Sequence, residues 1–164
     1  MYSVGETVGY SYYGVCNIEQ ITKREVGGNF IDYYVLKPVF DDRSTIYVPV
    51  KNEKLVGRMR APLTRSEAED LLSSLDRIET IWIDNDNERK ENYRTLITEG
   101  IPSDMAKLYK TLVHRRRELE GSTRKLRSTD ENYLREAEKI LVIECEYAAG
   151  MSKEDIETAL SSVS

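Results

Sequence analysis

Asp32-Tyr33-Tyr34-Val35-Leu36-Lys37-Pro38-Val39-Phe40-Asp41-Asp42-Arg43-Ser44-Thr45-Ile46-Tyr47-Val48-Pro49-Val50 decides the reading of the first third of the chain. The β-branched and aromatic residues of Tyr33 to Leu36 and Thr45 to Pro49 fit a pleated, half-buried surface. Between them, Asp41-Asp42-Arg43-Ser44 supplies short side-chain acceptors that favour a turn. The stretch therefore predicts a β-hairpin. Pro49 has no N–H to give to a ladder, so it closes the second strand or places it on an edge. An edge strand carries free backbone groups and can take up a strand of another protein.

Working outward, Val4-Gly5-Glu6-Thr7-Val8-Gly9-Tyr10 reads as a turn into a short strand, Val15 to Ile21 as a second strand, and Gly27-Gly28-Asn29 as a tight turn. Strands packed this densely predict a small barrel. From Lys51 to Thr64 neither strand alternation nor helical period holds, and the domain boundary is placed there, giving a β unit over 1–57 and a helical unit over 58–164. Thr64-Arg65-Ser66-Glu67 and Ser128-Thr129-Asp130-Glu131 both have capping-box spacing, and Gly100-Ile101-Pro102 separates two helices. Leu108, Leu112 and Leu119 form one apolar stripe, and Leu134, Ala137, Leu141 and Ala148 form another expected to face it. Gly150 ends that helix, and Ser152 caps a last short one with Ile156 and Leu160 on its apolar side. The predicted fold class is α+β, a small β-barrel followed by a compact helical bundle.

Composition narrows the chemistry. With 40% hydrophobic and 32% charged residues among 164, the balance is that of an ordinary soluble chain. No apolar run approaches the roughly 20 residues of a membrane span, and the N-terminus lacks a basic region followed by an apolar one, so a cytoplasmic location is expected. Cys16 and Cys145 fall in segments of different type and read as small buried residues rather than a disulfide. A single histidine, His114, cannot build a multi-histidine metal site, and neither a glycine-rich phosphate loop with its lysine nor a nucleophile elbow is found. No metal, cofactor or catalytic residue is expected, and the chain does not read as an enzyme. Carboxylate pairs such as Asp84 with Asp86 read as a solvated face.

The net charge of -5 argues against a protein that coats nucleic acid unaided, because phosphate neutralisation supplies most non-specific affinity. Between Lys107 and Arg127, however, eight Lys or Arg stand against two acids, Glu118 and Glu120. The runs His114-Arg115-Arg116-Arg117 and Arg124-Lys125-Leu126-Arg127 suit either of two roles, cations complementing a helix C-terminus or phosphate contacts. Trp82, the single tryptophan, lies in Ile81-Trp82-Ile83 before the polar Asp84-Asn85-Asp86-Asn87, and reads either as core or as a presented aromatic. Tyr10, Tyr12, Tyr13, Tyr33, Tyr34 and Tyr47 crowd the β unit, where some are core and others suit a protein interface.

Val4 to Tyr10, Gly14-Val15, Ile18-Glu19, Tyr33 to Leu36 and Val48-Pro49 together resemble the RNA polymerase-interacting module of the CarD/CdnL family, shared with transcription-repair coupling factor. Arg89 with Tyr93, Gly100, the basic stretch Lys107 to Arg127, and Glu136-Ala137-Glu138-Lys139-Ile140-Leu141 resemble the helical C-terminal domain of CarD-like regulators. The resemblance implies a Tudor-like barrel that docks on the β subunit of bacterial RNA polymerase through an edge strand, with Arg24, Ile46, Tyr47, Val48 and Pro49 at the contact. Tyr47 stands where some relatives have arginine. It also implies a helical domain that meets promoter DNA, largely independently of sequence, at the upstream edge of the transcription bubble. There Arg89, Lys90, Arg115, Arg116, Arg117, Arg124 and Lys125 would contact DNA, with Trp82 as a minor-groove wedge that supports the open complex. An ungapped match back from Gly100 places the wedge position of some relatives at Asp86 instead. The alternative is a non-enzymatic adaptor for another protein, in which the basic run only caps helices. An edge strand also leaves domain swapping open.

Overall fold

The computed structural model describes residues 1–163, and its strands follow the glycines. Thr7–Tyr10 (β1) pairs antiparallel with Gly14–Val26 (β2), which carries a register shift between Ile18 and Gln20. Gly27 and Gly28 take φ values of 58° and 83°, the left-handed pair that a two-residue hairpin turn requires, and return the chain as Asn29–Pro38 (β3). The next turn uses its acids as expected. Asp41 accepts from the Arg43 N–H at 3.0 Å and from the Ser44 hydroxyl at 2.7 Å.

Ile46–Pro49 (β4) then pairs with β3 in the register Tyr33 with Pro49 and Tyr34 with Val48. A single helical turn, Glu53–Val56 (α1), leads to Met59–Arg60 (β5), which pairs with β1, so the sheet runs β4-β3-β2-β1-β5 with β4 on an edge. The core beneath it holds Val8, Tyr10, Cys16, Ile18, Tyr34, Leu36, Val48 and Met59. Because Met59 and Arg60 complete the sheet, this compact unit runs from Met1 to Pro62.

The second unit, from Leu63 on, is helical. Arg65–Ser73 (α2) starts from a complete capping box between Thr64 and Glu67. Asp86–Glu99 (α3) is capped by Asn85 and stopped by Gly100 in the left-handed conformation. Pro102–Glu118 (α4) opens with its proline in the first turn, where a missing N–H costs nothing. Ser128–Ala149 (α5) ends at Gly150, and Lys153–Ser161 (α6) is capped by Ser152.

One helix start departs from expectation. Ser128 is already helical, the cap position is Arg127 with no side-chain cap bond, and Asp130 is drawn inward by Arg89. The two apolar stripes do meet in one core: Leu108 and Leu112 of α4 with Leu134, Ala137 and Leu141 of α5, joined by Tyr93, Met105, Ile140, Ile156 and Leu160. Leu119 and Ala148 are half-buried. Cys16 and Cys145 are both buried thiols outside any disulfide, and burial pushes the Cys145 thiol up to about 11. Among the described residues, no helix is long and apolar enough to cross a membrane.

Candidate functional site

The segment 78–85 forms neither helix nor strand, yet its backbone is tied down by side chains from the helices around it. Lys110, buried on α4, donates from Nζ to the carbonyls of Asp76 at 2.8 Å and Ile78 at 2.7 Å. The Thr111 hydroxyl accepts the Ile81 N–H at 2.8 Å and donates to the Lys107 carbonyl at 2.7 Å. The Tyr93 hydroxyl donates to the Ile81 carbonyl at 3.0 Å, and burial pushes this phenol up to about 12. Arg89 donates from Nη1 to the carbonyls of Ile83 at 2.9 Å and Asp84 at 3.4 Å. An irregular, partly buried backbone must find partners for its polar groups, and here they come from four side chains on α3 and α4.

Trp82 sits between these anchored neighbours. It is half-buried, packs against the helical core, and donates from Nε1 to Asp84 at 3.0 Å. Two guanidinium groups approach its ring, that of Arg89 at 4.3 Å and that of Arg115 at 4.8 Å from the centroid. Cations over an indole face are attracted by its quadrupole. Beside the ring lies an open hollow of about 340 Å³ lined by Trp82, Arg115, Leu119, Arg124, Lys125, Leu126 and Arg127, with Asp84, Asp86, Arg89 and Asp130 on its remaining wall. Arg127 pairs with Asp86 at 2.9 Å. Hydrogen bonding by Arg89, with the charges of Arg127, Arg89 and Arg124, holds the Asp86 carboxyl below its ordinary range.

The β unit gathers a second set. The Arg24 guanidinium lies 4.0 Å over the Tyr47 ring, and Tyr33 meets that ring edge-on at 6.3 Å. Val50 N–H donates to the Asp32 carbonyl at 2.9 Å, so Ile46 and Val48 also turn their backbone groups toward β3 while those of Tyr47 face the open edge. Pro49 has no N–H, which leaves Tyr47 as the donor at the centre of that edge. Tyr10 and Tyr34 are core. Tyr12 and Tyr13 stack at 4.3 Å and join hydroxyls at 3.0 Å, and this bond, with burial, raises the Tyr13 phenol to about 12.

Residues 2–61 match the family model for the CarD-like/TRCF RID domain, and residues 70–161 match that for the CarD C-terminal domain. The chain belongs to the CarD family. No curated protein matches it. CarD-family proteins are RNA polymerase-interacting transcription regulators and not enzymes. The C-terminal match spans both Trp82 and the basic hollow.

In this CarD-family chain the expected DNA-facing residues separate by environment. Trp82, Arg115, Arg124 and Lys125 converge on one hollow, and Arg116 lines a neighbouring one that shares Arg124 and Lys125. Lys90 is exposed but lines neither. Arg117 donates to the Val163 carbonyl and so ties α4 to the end of the chain. Arg89 stands apart from the others: its side chain is 4% exposed and every N–H is spent inside the protein, on Asp86, Asp130 and the carbonyls of Ile83 and Asp84. At the β4 edge, Val48 is buried and Ile46 is half-buried against the core, while Tyr47 is exposed. Composition did not single out Arg127 from its run, and it passed over Asp86 as solvated. Asp86, where some relatives align their wedge, is here an ion-pair carboxylate between Arg89 and Arg127.

Proposed function

We propose that this CarD-family protein binds the β subunit of bacterial RNA polymerase through the free edge and outer face of β4, and meets promoter DNA at the upstream edge of the transcription bubble through Trp82 and its basic hollow. The consequence is a change in open-complex stability. The observation that carries this reading is the fixed, half-exposed Trp82 flanked by Arg115 beside Arg124, Lys125 and Arg127. An aromatic edge among cations suits a junction where a base step is unstacked and phosphates are close.

A net charge of -5 does not prevent this, because polymerase binding makes the DNA contact effectively intramolecular and weak affinity is enough. Phosphate contacts carry no base information, so action at many promoters follows. The unit ending at Pro62 serves polymerase and the helical unit serves DNA, in the cytoplasm where transcription takes place. The alternative role for the basic run, cations complementing a helix C-terminus, is favoured by the place of Arg115, Arg116 and Arg117 in the last turn of α4.

The test is a footprint of holoenzyme on a promoter with and without the protein, together with open-complex lifetime. New protection at the upstream bubble edge and an altered lifetime are expected. An identical footprint and lifetime would reject the reading.

A further inference from the structure

Trp82 is flanked by a set of bonds centred on Arg89, whose side chain is almost wholly buried. Arg89 uses all five of its N–H groups: Nε to Asp130 at 3.0 Å, Nη2 to Asp130 at 2.9 Å and to Asp86 at 2.8 Å, and Nη1 to the carbonyls of Ile83 and Asp84. Both members of the Arg89–Asp130 pair have side chains only 4% exposed. The edge of the guanidinium makes these bonds and leaves its face for the indole, 4.3 Å away.

We propose that Arg89 and Asp130 are positioning residues that fix the orientation of Trp82, so that its partner meets a rigid indole and not a mobile loop. The functional consequence rests on the reading of Trp82 given above. Stability alone does not account for the pair, because a buried ion pair is often no better than well-packed apolar residues. Arg89 also lies in the first turn of α3, where the helix dipole disfavours a cation. What the pair does supply is geometry: it joins the first turn of α3, the first turn of α5 and the two backbone carbonyls that follow Trp82. A lysine, with a point charge and no planar fork, cannot make the same set.

Trp82 is the only tryptophan, so its fluorescence reports this loop directly. In the full chain, Arg89→Lys and Asp130→Asn should raise the acrylamide quenching constant by about twofold as the half-buried ring opens to quencher, with the far-UV circular dichroism of a folded protein. Open-complex lifetime should move about threefold toward its value without the protein, while polymerase retention stays at wild type. Should both variants unfold, Asp86→Ala removes only the half-exposed partner and should give a smaller rise in quenching. A folded variant with wild-type quenching overturns the proposal. Raised quenching with a wild-type lifetime supports the positioning role and overturns the DNA role of Trp82.

Discussion

The guanidinium of Arg24 lies 4.0 Å above the ring of Tyr47, joining β2 to β4 across the strand between them. The contact makes one patch of two residues that the family resemblance placed separately at the polymerase surface. Tyr47→Glu replaces the ring with a carboxylate that can only pair with Arg24, and polymerase binding should weaken by about tenfold or more, as for an interfacial aromatic anchor. Tyr47→Phe keeps the ring and should bind as wild type. Arg24→Ala loses an exposed cation–π contact of about 0.5–1 kcal/mol, a change of a few-fold. Affinity titration against polymerase measures all three, and wild-type binding by a folded Tyr47→Glu would remove β4 from the interface.

The three consecutive arginines should not behave alike, because successive helical residues point about 100° apart. Arg117→Ala removes the bond to the Val163 carbonyl and should lower the melting temperature without changing the salt dependence of DNA binding. Arg116→Ala should do the opposite, reducing the slope of log K against log salt by about one unit. Arg115→Ala removes a cation from Trp82 and should alter both. Salt titrations on the three single variants, each paired with thermal melts, would expose a uniform response.

Alkaline pH should loosen the helical unit through Tyr93. Burial raises its phenol from 10.0 to about 12. Below pH 10 both folded and unfolded chains keep the proton, and this contribution is fully present. Between pH 10 and 12 the unfolded chain loses the proton first, so stability falls as pH rises, by up to about 1.4 kcal/mol per pH unit for this group. Tyr93→Phe cannot ionise, and its melting temperature should fall less steeply over that window. Equal slopes for the two proteins would show that the phenol is not protected.

Local patterns carried most of the fold to the reader of the sequence. Gly27-Gly28, Asp41 to Ser44 and Thr64 with Glu67 act over two to four residues, and each appears in the structure doing what its chemistry suggests. The reading failed where a long-range partner outbid a local one. Ser128 to Glu131 has capping-box spacing, but Ser128 already lies inside α5 and Arg127 at the cap makes no side-chain bond, while Asp130 is held by Arg89, 41 residues away, a pairing that no periodicity reports. The same bond buries the Arg89 side chain, which no local pattern signals. Lys110 and Thr111 escaped notice for a related reason: they sit among the buried residues of α4 and bond a loop 30 to 34 residues distant. Trp82 was legible as unusual, but only the fold places it between Arg89 and Arg115.

Replacing Trp82 separates its two roles. Its ring packs partly on the helical core, so Trp82→Ala should cost less than the roughly 3–5 kcal/mol of a fully buried tryptophan. A loss near 1 kcal/mol corresponds to a fall of about 4–8 °C in a unit of this size, leaving the protein folded at working temperature. Stacking at an unstacked base step is worth about 1–3 kcal/mol, so open-complex lifetime should shorten by roughly tenfold if about 1.4 kcal/mol of differential stabilisation disappears. Trp82→Phe keeps an aromatic face but gives up the Nε1–H bond to Asp84, and should fall between wild type and alanine in lifetime. Polymerase affinity, which belongs to the β4 edge, should be unchanged in both variants. Lifetime and melting temperature measured on the same preparations distinguish the cases: a large fall in melting temperature with an unaltered lifetime would return Trp82 to a purely structural role.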